Sequence, residues 1–152
     1  MPESLSPPSI RAAARSELPE VLALLKECDL PREGVAEHLD GFLVARNDRK
    51  LLGVVGLERY GEIGLLRSLA VTPKARGHGI ASHLVQALID RARERGISVL
   101  YILTETAEDF FPRFGFERIS RARLDARLEA SAELQGACPE TAVAMGLDIR
   151  VP

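Results

Sequence analysis

The chain has little of what metal, membrane or polyanion chemistry needs. Its two cysteines, Cys28 and Cys138, stand far apart with no Cys-x-x-Cys spacing, so neither a disulfide framework nor a zinc site has support and both are expected as reduced, packed thiols. No metal is expected either. His78 and His83 are five residues apart and miss the spacing that sets two imidazoles on one helix face. No apolar run approaches the ~18 residues of a membrane helix, and prolines break the opening MPESLSPPSI where a secretory signal needs an apolar centre. The expectation is no membrane partner and a cytoplasmic location. Lys and Arg number 20 against 22 Asp and Glu, a formal net charge of -2. Without a basic field, no nucleic acid is expected as a partner.

What the chain does have is enough apolar matter for one core: 46% of its 152 residues are hydrophobic, and a chain of that size needs no covalent staple. Residues 1–152 read as a single domain, with 1–8 a loose, proline-rich lead-in. Residues 9–14 suit a first strand, and Leu18, Val21, Leu22, Leu24 and Leu25 mark a helix that ends before Pro31. A short polar helix or loop then leads to strands over 42–47, 51–58 and 63–71, joined by turns at Asn47-Asp48-Arg49 and Gly61-Glu62. Three antiparallel strands therefore precede residue 72.

From there the pattern changes. Ile80, Ala81, Leu84, Val85, Leu88, Ile89 and Ala92 line one side of a helix that stops at Gly96. The run SVLYIL over 98–103 is almost wholly apolar, as a strand covered on both faces would be. Strand, helix, strand is a βαβ crossover, whose first turn opens at the end of the sheet.

That turn is the most informative stretch of the chain: residues 65–84 read LLRSLAVTPKARGHGIASHL. Backbone N–H groups of Arg76, Gly77, His78, Gly79 and Ile80, with the positive end of the new helix at Ala81 and Ser82, suit a phosphate. The spacing is not that of a P-loop, since no Lys-Ser/Thr pair follows, nor of a dinucleotide fingerprint, because Ser82 stands where the third glycine belongs.

The pattern Arg76-x-x-Gly79-x-Ala81, with a strand before it and a helix after it, resembles the acyl-CoA loop Gln/Arg-x-x-Gly-x-Gly/Ala of the GCN5-related N-acetyltransferases. The resemblance implies an α/β fold with a mixed, mostly antiparallel central sheet flanked by helices and a βαβ acyl-CoA-binding crossover. It implies acetyl-CoA as cofactor, its pyrophosphate on the loop amides and its pantetheine arm and acetyl carbonyl on the backbone of Leu69, Ala70 and Val71. The closing segment TETAEDFFPRFGFERI also resembles the family, with Phe111 where many members carry the Tyr that protonates the departing thiolate. A phenyl ring has no proton to give, so another group supplies it or CoA leaves as the thiolate. Phe110 is expected to add one cofactor contact, and Thr104 and Thr106 either bond the pantetheine arm or cap the following turn.

LLRSLAV, LYILTETAEDFFPRFGF and ACPETAVAM look like the small acetyltransferases of phosphinothricin and arsinothricin. The Thr-Glu-Thr-Ala-x-x-Phe-Phe run is also similar to the acetyltransferase domain of N-acetylglutamate synthases. Both resemblances imply a small amino-acid acceptor with extra acidic charge, and they allow a homodimer. Arg67, with Ser68, is the first choice as ligand of the acceptor anion, because a guanidinium grips a carboxylate, phosphinate or arsonate bidentately; a rim salt bridge is the alternative. An α-amine with an unperturbed pKa of roughly 8 must lose a proton before it attacks. Glu58 is the expected base, with Glu62 and Glu105 behind it, and a backbone N–H at Ala70 or Val71 is expected to meet the oxyanion. A protein N-terminal acetyltransferase and a non-catalytic acyl-CoA-binding module remain as alternatives. The segment 131–145 is expected over the acceptor pocket or across a subunit boundary.

Overall fold

The structure, a computed structural model, describes residues 8–47, 49–137 and 141–150. The lead-in before Pro8, Asp48 of the first hairpin turn and Cys138 with Pro139 therefore lie outside the described residues. Seven strands form one sheet in the order β1-β2-β3-β4-β5-β7-β6. These are β1 (Ser9–Ala12), β2 (Leu43–Asn47), β3 (Lys50–Tyr60), β4 (Ile63–Val71), β5 (Val99–Thr104), β6 (Glu117–Ile119) and β7 (Val143–Asp148). All neighbours are antiparallel except β4 and β5, which run parallel because helix α2 (Ile80–Glu94) carries the chain back between them. The expected mixed, mostly antiparallel sheet with a βαβ crossover is the observed one.

Helices sit on both faces, and the period-2 alternation of the strands decides which side chain meets which helix. Leu43, Ala45, Val55, Leu57 and Leu66 join Leu84, Val85 and Leu88 of α2 in one core. Val44, Val54 and Ala70 pack instead with Val21, Leu24 and Leu25 of α1 (Leu18–Glu27). Each Leu or Val so enclosed contributes about 1.5–3 kcal/mol. Gly56 is required by close approach, since a Cβ there would sit 2.3 Å from the Phe42 ring.

Boundaries moved by a few residues for local reasons. Residues 15–17 form a 3₁₀ turn held by the Glu17 carboxylate on the Ala14 N–H, 2.8 Å, so α1 starts at Leu18 with Pro19 in its first turn. The polar stretch after Pro31 becomes a 3₁₀ turn over Ala36–Gly41. β3 continues past Glu58 to Tyr60, so Glu58 lies within the strand rather than at its end. Within 131–145, Ser131 and Glu133 are buried, and Val143 opens the strand Val143–Asp148, which enters the sheet as β7 between β5 and β6. Among the described residues no helix is long and apolar enough to cross a membrane.

Candidate active site

Two departures from regular pairing open the sheet at its centre. The parallel ladder between β4 and β5 runs only from Ile63 opposite Val99 to Leu66 opposite Ile102. Beyond it, Leu103 and Thr104 pair with Ala144 and Val143 of β7, so β4 from Arg67 to Val71 parts from β5 and the strands fork.

On its other edge β4 carries a bulge. Val54 faces Ala70 and Gly56 faces Arg67, so Ser68 and Leu69 together oppose Val55. Ser68 takes φ 62°, a left-handed conformation rare outside glycine. The extra residue shifts the alternation, so that Ala70, three residues after Arg67, packs with the α1 core. Strained backbone thus stands at the mouth of the fork, with Leu69 only partly buried, and beyond Leu66 the edge of β4 that faced β5 has no strand beside it to take its amides.

Beyond the fork the chain turns through Pro73–Ala75 into the glycine loop. The Arg76 guanidinium folds back to donate to the Val71 carbonyl at 3.0 Å, which fixes the loop against the end of β4. Gly77 and Gly79 have φ 85° and 80°, conformations that only glycine adopts without strain. Gly79 is the N-cap of α2, and no side chain caps the helix there or places an acid in its first turn. The first amides of α2, at Ile80, Ala81 and Ser82, are left to an outside acceptor. Gly77, His78 and Gly79 are exposed, Ala81 and Ser82 half-buried. This part of the chain offers what a pyrophosphate needs.

On the α1 side of the fork lies a buried charge cluster. Glu58, 0% exposed, and Arg67, 2% exposed, form an ion pair with Nη1 to Oε2 at 2.6 Å. The guanidinium also donates to the carbonyls of Glu33 at 2.7 Å and Pro31 at 3.2 Å, and its Nε reaches Ser68 Oγ at 2.9 Å and Glu133 Oε2 at 3.4 Å. Gly34, at φ 82°, passes so close that a Cβ would stand 3.0 Å from Arg67 Nη1. Tyr60 donates its hydroxyl to Glu58 Oε1, and His38 stands over the Tyr60 ring edge-on, its Nε2 3.7 Å from the same oxygen.

Burial alone would push the Glu58 carboxyl up. Hydrogen bonds from Tyr60, Arg67 and Ser131 outweigh it and hold the group below the ordinary 4.5, so it is ionised at neutral pH. Burial, and then the bond to that carboxylate, push the Tyr60 phenol well above its usual range.

The model of the "Acetyltransferase (GNAT) family" matches residues 9–116, which hold the fork, the bulge and the loop. The chain belongs to this family. Amino-acid acetyltransferase of Neisseria meningitidis is 30% identical over 125 residues, 76% of this chain and 29% of that protein. Amino-acid acetyltransferase of Mycobacterium tuberculosis is 35% identical over 86 residues, 56% of this chain and 45% of that one. N-acetylglutamate synthase of Neisseria gonorrhoeae, solved with coenzyme A and N-acetyl-glutamate, superposes with TM-score 0.81 at 25% identity, covering 97% of this chain and 36% of its own. The chain thus spans less than half the length of these amino-acid acetyltransferases.

Among the remaining expected site residues of this GNAT domain, several have other work. Phe111 is buried between Phe110 and Phe116, ring centroids 5.3 and 5.5 Å away, and has no proton to offer the thiolate. Phe110 is only partly buried and lies under the Arg113 guanidinium. Thr104 Oγ1 accepts from the Ala107 N–H at 3.0 Å, the capping role. Glu62 and Glu105 are exposed; Glu62 faces Arg127 at 3.9 Å and Glu105 accepts from Thr141 Oγ1. Arg67 is not the rim salt bridge offered as the alternative: it is buried, and partners within the chain enclose it. Sequence reasoning missed Tyr60, His38, Ser131 and Glu133. Glu58 and Tyr60, two apart on one strand, share a face and so were within reach of the period-2 rule; the other three arrive from distant turns.

Proposed function

We propose that this domain transfers an acetyl group from acetyl-CoA to the α-amine of a small acidic amino acid, glutamate or an antimetabolite of its shape such as phosphinothricin or arsinothricin. One observation carries the reading: the strained, forked end of β4 lies between an uncapped helix N-terminus and a buried ionised carboxylate. The fit to acetyl-CoA rests on the left-handed Gly77 and Gly79, the free first-turn amides of α2 and the exposed loop around His78. Arg76, Gly77, His78, Gly79, Ile80, Ala81 and Ser82 hold the pyrophosphate, and the backbone of Leu69, Ala70 and Val71 takes the pantetheine arm, with Phe110 and Thr104 at its margin. Bound there, the cofactor supplies an activated acyl group. The Val71 amide, on the edge of β4 that β5 has left, stabilises the oxyanion without reorganisation, while the Ala70 amide faces Val54 of β3.

Glu58 takes the proton from the acceptor ammonium. In the closed arrangement it is too well stabilised to be a strong base, but one change of partner alters that. Arg67 faces two carboxylates, and its Nε contact to Glu133 is the longest of its bonds at 3.4 Å. The acceptor's carboxylate replaces Glu133 on Arg67 and Ser68 as residues 131–133 move aside, which opens Glu58 to the amine. Arg67 and Ser68 thereby keep the expected part in acceptor binding. An enclosed cation with a carboxylate already on it favours a small anion over the chain end of a protein. All these groups come from one chain, so activity is expected of a monomer and of a homodimer alike.

Thiol release from acetyl-CoA, followed with glutamate, phosphinothricin, arsinothricin and an N-terminal peptide in parallel, tests the reading. Turnover is expected with at least one acidic amino acid and not with the peptide. Turnover of the peptide alone would transfer the domain to protein substrates. CoA binding without turnover of any amine would make it a binding module.

A further inference from the structure

Amide formation from an ammonium and a thioester yields a thiol and releases one proton per turnover. Two protons leave the nitrogen in all; one is retained in the thiol and the other must reach solvent. Glu58 cannot deliver it directly, because its carboxylate is fully buried and one oxygen is occupied by Arg67, a permanent cation that accepts no proton.

His38 is the one imidazole beside this carboxylate, and its position joins inside to outside. It sits on the Ala36–Gly41 turn, whose path is fixed by the bonds from its own N–H to the Gly34 and Val35 carbonyls, both 3.2 Å. Its side chain is 28% exposed, while Nε2 stands 3.7 Å from Glu58 Oε1 and the ring meets Tyr60 at 5.9 Å. That gap is beyond a direct hydrogen bond and within reach of a small rotation or one bridging water. The charged and titratable groups around it are Glu58 and Tyr60 from β3, Arg67 from β4 behind Glu58, and Glu37 and Asp40 on its own turn. Imidazole takes up and releases protons readily near neutral pH, which carboxylate, phenol and guanidinium do not.

We propose that His38 is the proton outlet of the site: it accepts the ammonium's proton from Glu58, directly or through the Tyr60 hydroxyl, and gives it to solvent, so that Glu58 is ionised again for the next turnover. His38 acts through Glu58 and touches neither acyl donor nor acceptor. The inference rests on the function proposed above.

Thiol release is measured on the full chain and its His38→Ala and His38→Gln variants, with glutamate and phosphinothricin as probes, across pH 6 to 9 and with imidazole added to the buffer. His38→Ala is expected to lower kcat by about tenfold or more, with the KM for acetyl-CoA within about twofold, and added imidazole is expected to restore turnover in proportion to its concentration. His38→Gln is expected to stay slow, with little rescue. Unchanged kcat and pH profile in His38→Ala would overturn the outlet alone. A loss that follows a lowered Tm and ignores imidazole would also overturn it, by making His38 structural. No turnover by the unaltered chain with either probe, or with arsinothricin, would remove the proposed function and the outlet together.

Discussion

Arg67 shows how far one residue's environment can redirect a role read from its type. A guanidinium on the strand before the cofactor segment suggests a free anion ligand, and truncation would then touch only acceptor kinetics. Enclosed by Glu58, Glu133, Ser68 and the carbonyls of Pro31 and Glu33, it is structural as well. Arg67→Ala would leave buried carboxylates without their cation, and a loss of about 3–5 kcal/mol is expected, read as a lowered urea midpoint; an unchanged midpoint would mean the cluster is wetter than its burial indicates. Glu133 offers the finer test of acceptor binding. If it occupies the acceptor's place on Arg67, Glu133→Gln weakens the competitor and lowers the acceptor KM by roughly three- to tenfold, about 1 kcal/mol, with acetyl-CoA kinetics unaltered. A raised acceptor KM would show instead that Glu133 helps to hold the substrate. None of this was legible beforehand, because strand pattern fixes only which face Arg67 takes, and its partners come from residues 31–33 and 131–133, far off in sequence.

At the level of elements, the loop between β4 and α2 was the most legible part, since glycine spacing, proline and the return of helical periodicity are all local signals. Its physical basis is nevertheless more specific than close approach. A Cβ on Gly77 would meet nothing within 4 Å and one on Gly79 only His83, 3.9 Å away; the glycines are demanded by φ. Gly79→Val therefore costs about 1–2 kcal/mol of local strain. Its expected signature is roughly tenfold weaker CoA binding in calorimetric titration, with the far-ultraviolet circular dichroism of the unaltered chain. Equal affinity would separate the pyrophosphate from this loop. The fork and the bulge were not legible in this way. LLRSLAV reads as an ordinary strand, and nothing in it announces that pairing with β5 stops at Leu66 or that Ser68 turns left-handed. Non-local register decides both, as it decides the insertion of β7 beside β5.

For the molecule as a whole, the alternation of apolar positions was enough to give the antiparallel strands, the crossover and a two-faced core, because burial on both sides leaves few registers open. The same whole carries a pH dependence. Glu58 sits below the ordinary carboxyl value of 4.5, where burial is outweighed by bonds from Tyr60, Arg67 and Ser131, and Glu17 does so chiefly through its bond from Arg11. A carboxyl whose folded pKa is depressed adds stability above its unfolded pKa and loses it as pH falls through the folded one. The urea midpoint is therefore expected to be flat above about pH 5 and to fall below pH 4.5, with a shallower fall in Glu58→Gln; an identical slope in that variant would take Glu58 out of the acid transition. The most direct test of the function is a crystal structure of the domain soaked with acetyl-CoA. The pyrophosphate should lie on the amides of residues 77–82 and the thioester at Leu69–Val71, within reach of Glu58; an empty loop, or cofactor density elsewhere on the molecule, would contradict it.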